Sequence, residues 1–195
     1  MASTSANSGV DIASRALILI GADPITSFDS DTTEALVASN LYEDMVRTAL
    51  CNSRWRFSTN QAVMNRLSDV PTGRFDQAYQ LPNGTLMVHA VTVSDNLIEY
   101  TVYGDKVYSN SSPSDELVVD FTFRALEQDF PSYFTLAVEY ALASAFALSI
   151  ARDDGMATML ERKAQMLMQQ ARTLDSQQQT TRKLTTNRFI TNRRS

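Results

Sequence analysis

The chain has 195 residues, 44% of them hydrophobic, which is enough to bury a core and excludes wholesale disorder. Its net charge of −5 is uneven: of 17 Lys and Arg, five (Arg182, Lys183, Arg188, Arg193 and Arg194) follow Asp175, after which there is no acid, so 12 bases face all 22 acids in the first 175 residues, an acidic body of −10 with a basic tail. A lone cysteine, Cys51, excludes an intrachain disulfide and fits synthesis in a reducing compartment.

Residues 1–8 are small and polar, with neither the basic start nor the apolar core of a secretory signal. A first helix is predicted over 11–20, with Ile12, Ala16, Leu19 and Ile20 on one face. Gly21 stands where a helix-ending glycine belongs, and Pro24 follows as a stop. Asp31 and Glu34 have capping-box spacing for a second helix running to about Asn52. Along it, Val37, Leu41, Met45 and Leu50 form the expected apolar side. Trp55 and Phe57 read as core anchors closing this helical block. Residues 59–67 read as either a short helix or an irregular strand, and a turn is expected at Pro71 to Gly73.

From Gln77 the pattern is β, over residues 78–81, 86–93, 97–102, 106–109 and 117–123. Pro82 forces Leu81 to be extended, and Asn83-Gly84 supplies the positive φ of a tight turn. Ser94-Asp95-Asn96 and Gly104-Asp105 are turn signals, and SNSSPSD over 109–115 is a polar loop. Val119 to Phe123 alternates strictly, so one face of that strand should be wet. A third helix is predicted from the Asp129-Phe130-Pro131 step to about Asp153, kept slim by alanines that permit close packing. Its uncharged part, 140–151, is too short to span a bilayer and reads as a helix buried against protein. After a break at Asp154-Gly155, an amphipathic helix is predicted over 156–174. A polar linker and the basic tail follow. The segments are 9–57 and 129–175 as the two helical halves of one bundle, 77–124 as a β insertion, and 176–195 as an extended arm. The expected fold is α+β but mainly helical: a bundle carrying a small antiparallel β insertion.

Chemistry is sparse. The only histidine, His89, lies within a strand, and a nucleophilic Cys51–His89 pair is weighed against a buried, inert thiol, the reading preferred here. One Cys and one His make no zinc site. Asp153-Asp154 and Asp115-Glu116 read as solvated turns rather than a cation site. The isolated glycines form no phosphate-cradling loop. Four of the eight methionines fall between Met156 and Met168, as core or contact packing. Neither an enzyme nor a cofactor or metal is expected. An acidic body argues against strong DNA affinity, since phosphate contacts dominate that affinity.

The ordered set Trp55-Arg56-Phe57, then Ala78-Tyr79-Gln80-Leu81-Pro82 with an apolar strand behind it, resembles the head-to-tail adaptor of short-tailed phages, the tail tubular protein A family. The resemblance extends back to Ala16-Leu17, Ile20-Gly21-Ala22-Asp23-Pro24-Ile25 and Ser27-Phe28. It extends forward to Asp129-Phe130-Pro131, covering about residues 10 to 175. The acid usual after Leu-Pro is replaced by Asn83-Gly84. The resemblance implies a structural ring, a dodecamer of side-by-side subunits in the neck of the virion. Such a ring joins portal to tail nozzle, lets DNA pass through its lumen without sequence reading, and involves no membrane; its subunits are made in the host cytoplasm. It also implies a portal-binding C-terminal arm, for which Arg182, Lys183 and Arg188 would supply charge and Leu184, Phe189 and Ile190 apolar anchors. Asp95, Asn96, Asp105, Ser111, Ser112 and Asp115 are the candidates for the tail-side or neighbour contact. Two other readings stand beside it: another stopper ring of the neck, and a small cytosolic module using its basic tail, otherwise simply a solvated end, to bind nucleic acid.

Overall fold

The computed structural model describes residues 8–68 and 73–178. Helix α1 (Gly9–Leu19) is capped by Ser8, whose hydroxyl accepts from Asp11 N at 3.1 Å. It ends as expected at Gly21, whose φ of +77° suits a residue without a Cβ. There Gly21 N donates to Ile18 O and Ala22 N to Leu17 O, the paired bonds of a Schellman motif. The buried face is Ile12, Ala13, Ala16 and Leu17, with Ile20, while Leu19 is 39% exposed. Helix α2 (Thr33–Cys51) starts one residue later than the capping-box reading: Thr32, not Asp31, caps Ala35 N at 3.2 Å. Its buried stripe is Ala35, Ala38, Tyr42, Val46, Ala49 and Leu50, and Val37, Leu41 and Met45 are half-buried.

Residues Thr59–Val63 (β1) and Asn65–Arg66 (β2) are strand, which settles the open reading of this stretch. The chain changes sheets at the buried Met64 between them. β1 pairs antiparallel with β8 (Leu117–Phe123), and β2 with β3 (Gln77–Gln80). The remaining strands are β4 (Thr85–Val93), β5 (Asn96–Leu97), β6 (Tyr100–Tyr103) and β7 (Lys106–Ser109). They complete two antiparallel sheets, ordered β1-β8-β4-β5 and β2-β3-β7-β6. The sheets share a core of Met64, Tyr79, Leu81, Val91, Val107, Leu117, Val119 and Phe121, the arrangement of a small sandwich. β8 is less one-sided than its alternation predicts: Thr122 is fully buried where α2 approaches the sheet and bonds His89 Nε2 at 2.7 Å.

Helix α3 (Ser132–Phe146) begins just after Pro131 and continues as a π-helical segment, Ala147–Ala151. The stretch Ser132–Ala151 is long and apolar enough to cross a membrane by length and composition, with a mean hydropathy of 1.6. It is the central core helix here, packed on α1, α2 and α4 (Asp154–Ser176), with Phe134, Ala137, Val138, Leu142 and Phe146 at most 1% exposed. Arg152, at φ +53°, turns the chain, and Asp153 caps α4 by accepting from Met156 N at 2.9 Å.

The expectation of a mainly helical bundle with a small β insertion is therefore wrong. Among the described residues 47% are helix and 22% strand, in four α-helices and two antiparallel sheets, a mixed α+β fold. The reason is physical: the strands do not decorate the helical core but close a second core of their own.

Candidate interaction surfaces

Two polar clusters tie the elements together, the first between the helices and the end of β8, the second around the end of α4. At the first, Arg124, directly after β8, donates to Glu43 Oε2 at 2.9 Å and to Glu127 Oε1 at 2.5 Å, with its guanidinium 5.7 Å from the Phe130 ring centre. Tyr42 adds its hydroxyl to Glu127 at 3.1 Å, and Arg47 reaches Glu43 at 2.6 Å. Partial burial would raise the Glu43 carboxyl, but hydrogen bonds from Arg124 and Arg47 outweigh it and hold the group below its ordinary value. Burial, then the Glu127 charge and hydrogen bond, pushes the Tyr42 phenol far up.

At the second, Asp175 in the last turn of α4 is buried and accepts from Arg56 N at 3.1 Å and Tyr133 Oη at 2.9 Å. Burial and that bond push the Tyr133 phenol up to about 12. Arg172 donates to Asn52 O at 3.1 Å and Gln178 to Tyr133 Oη at 3.3 Å. The end of α4 is thus bound to the Trp55-Arg56-Phe57 step. Trp55 is fully buried, its indole N–H on Ala49 O at 2.9 Å, and Phe57 is half-buried against Phe130 and Phe134.

The sequence-predicted contact residues fall into three places. Asn96, Ser111 and Asp115 come together in the sandwich, lining a groove of about 420 Å³ with Phe75, Val93, Ile98, Glu99 and Asn110. Asp95 lies in the two-residue turn between β4 and β5, where Ser94 and Asp95 have φ of 48° and 64°. Ser112 closes its own loop: its N–H donates to Asp115 Oδ2 at 2.9 Å, and Ser111 bonds Ser109 at 2.7 Å and Tyr79 at 3.2 Å. The loop read as merely polar is thus self-braced. Asp105 is apart, at the opposite end of β7. There it accepts from Gln80 Nε2 at 3.0 Å, which holds the exposed carboxyl below its usual value. Arg182, Lys183, Leu184, Arg188, Phe189 and Ile190, like Pro71, lie outside the described residues.

Sequence reading missed two surfaces. Phe75, Tyr108 and Tyr103 form an aromatic strip on the sheet containing β7, with ring centres 6.1 and 5.7 Å apart. Their signal was the aromatic residue in each neighbouring segment. A groove of about 430 Å³ also runs between α2 and α4, floored by Met45, Ala49, Ala141, Ala164 and Met168. It arises from alanines on three different helices, which no single stretch of the sequence marks. Cys51 is half-buried, and burial pushes its thiol up, away from nucleophilic use. Burial, then the Arg54 charge, keeps His89 below its ordinary value. Among the described residues no group of three or more His, Cys, Asp or Glu is placed to hold a metal.

The described residues form a two-core α+β protein with grooves on its surface, and the comparison with known families gives its class, a structural component of the phage tail. Residues 11–184 match the tail tubular protein family, and the chain belongs to that family. No curated protein matches it. The family is structural rather than enzymatic, and its members are parts of the virion tail. The matched span takes in Arg182, Lys183 and Leu184 and stops before Arg188, Phe189 and Ile190.

Proposed function

We propose that the chain is the head-to-tail adaptor of a tailed phage. It would be the subunit of a ring, a dodecamer, seated between portal and tail nozzle, with DNA passing through the lumen. The observation that carries this reading is the family match over residues 11–184, which spans both layers and the start of the tail. The charge distribution supports it. An acidic body of −10 does not grip a polyanion sliding past it, whereas the tail concentrates cation and apolar side chains in a short arm. In this reading residues 179–195 carry the portal contact through Arg182, Lys183, Leu184, Arg188, Phe189 and Ile190. The braced loop and hairpin groove of Asn96, Ser111 and Asp115, with Asp95, Ser112 and Asp105, face the tail or a neighbouring subunit.

The test is mass and negative-stain imaging of the purified protein, alone and mixed with its portal. A ring stacked on the portal supports the adaptor. The variant lacking residues 181–195 should keep its circular dichroism spectrum and fail to stack; normal stacking would remove the tail from the proposal. Salt-sensitive binding to duplex DNA by a monomer indifferent to portal would favour the nucleic-acid module instead.

A further inference from the structure

We infer that the groove between α2 and α4 is the resting place of this chain's own residues 184–190. The groove exists because α2 and α4 both lie on α3 at positions where the facing side chains are alanines, Ala49, Ala141 and Ala164, so the helices leave a slot instead of interlocking. Its floor is apolar and includes Met45 and Met168, methionines that adapt to whatever covers them, while its rim is polar, with Glu161, Gln165, Gln169 and Arg172 among the lining. The apolar floor gains by being covered.

Three observations select the occupant. The first is reach. The described chain ends at Gln178, fixed to Tyr133, only six residues beyond Arg172 at the groove's near end, or about 9 Å of helix rise. Leu184 is six residues further on, so an extended connection spans at most about 20 Å, enough to turn back and enter. The second is length. From Arg172 to Glu161 the groove follows about 16 Å of α4, and residues 184–190 in extended form cover about 20 Å, bringing Leu184 in at one end and Phe189 and Ile190 towards the other. The third is charge. The last turn of α4 has no basic residue of its own and carries the buried Asp175, so a cation arriving there meets the negative end of the helix dipole. A returning chain puts Arg182 and Lys183 beside that end, and Arg188 near Glu161 on the groove rim. A tether this short raises the local concentration of the segment to about the millimolar range, which favours a chain's own tail over a neighbour's. The docking belongs to the free chain and does not depend on the portal reading.

The test uses the full chain in a Cys51→Ser background. Leu184→Cys is combined with Gln165→Cys on the groove rim, or with Leu97→Cys on the sandwich as a control, and each pair is treated with a short bis-maleimide. Strong intrachain linkage for the groove pair and little for the control is the expected result. Linkage mainly between chains would assign the groove to a second copy. Equal linkage in both pairs would leave it without this occupant. Either result overturns the inference. Hydrogen exchange supplies an independent reading: in Leu184→Asp/Phe189→Asp, changes confined to the tail, exchange should accelerate in 45–52 and 161–172 and stay unchanged in β4 and β8. Unaltered exchange in the two helices would also overturn it.

Discussion

The helical core is built around aromatic rings, while the core between the sheets is built mostly from branched aliphatic side chains. Trp55, Phe57, Phe130 and Phe134 meet edge to face or tilted, with Phe57–Phe134 and Phe130–Phe134 centres 4.9 and 5.0 Å apart, and they draw together α2, α3 and the connection into the sandwich. Between the sheets, Val91, Val107, Leu117 and Val119 are fully buried around Tyr79. The difference teaches where rigidity resides. The aromatic cluster joins segments far apart in sequence, so damage there spreads. The sandwich depends on register, which β4 already interrupts with irregularities at Thr85/Met87 and Val88/Ala90.

The largest effect should come from Trp55→Ala. It removes a fully buried indole and its bond to Ala49 O, at a cost of about 3–5 kcal/mol, measured by chemical denaturation. Leu117→Ala in the second core should cost about 2–4 kcal/mol. The pair tests the comparison itself. Phe123 touches both cores, so near-ultraviolet and far-ultraviolet signals should fall together in each variant; separate transitions would mean that the layers unfold independently.

Arg124→Met breaks the polar joint between the layers. It leaves Glu43 and Glu127 without their shared cation, a loss of about 2 kcal/mol once the 44% exposure of the Glu43 side chain is allowed for. The sign with pH follows from the carboxylate. Glu43 is held below its ordinary value in the folded protein, so its contribution is present above the unfolded value and lost as pH falls through the folded one. The gap between Arg124→Met and the parent should narrow on acidification. Glu139 gives the opposite slope. It is buried on α3 with Arg15 Nη1 at 3.5 Å, and burial, only partly opposed by Arg15, raises its carboxyl. Its contribution is full below the ordinary glutamate value and is lost as pH rises through the raised one. Glu139→Gln should therefore raise the melting temperature at pH 7, and the difference from the parent should shrink as the pH is lowered towards the ordinary glutamate range.

The sequence makes helix ends readable where one residue type fits one geometry, as at Gly21 and Pro131. It leaves them ambiguous where a run such as Asp29-Ser30-Asp31-Thr32-Thr33-Glu34 offers several caps and only the packing of α2 selects Thr32. Burial on α2 was legible only in part: of the expected apolar side Leu50 is buried and Val37, Leu41 and Met45 are half-buried, while Ala35, Ala38 and Ala49, too small to mark a face by themselves, are buried by close approach of other elements. Residues 59–66 carry no clear period because the chain passes from one sheet to the other at Met64, a fact that depends on β8 and β3. Asn96, Ser111 and Asp115 were legible as turn and loop residues, but their meeting in one groove depends on strand register. The α2–α4 groove was not legible, since it arises from alanines on three helices.

The smallest predicted effect has the most diagnostic sign. The turn between β4 and β5 places two non-glycine residues, Ser94 and Asp95, at positive φ, a two-residue connection that favours Asn-Gly. An L-residue at positive φ is sterically penalised, while Asn96 Nδ2 donates to Ser94 O at 3.1 Å and braces the turn. Asp95→Gly should relieve more than it costs in chain entropy and stabilise the protein by about 0.5 kcal/mol, read as a small rise in melting temperature. If Asp95 serves only the fold, the glycine variant will assemble on its partners as the parent does. If Asp95 is retained for a contact, the more stable variant will bind the partner it meets there more weakly. Stability and assembly would then move in opposite directions, which a purely structural turn residue cannot produce.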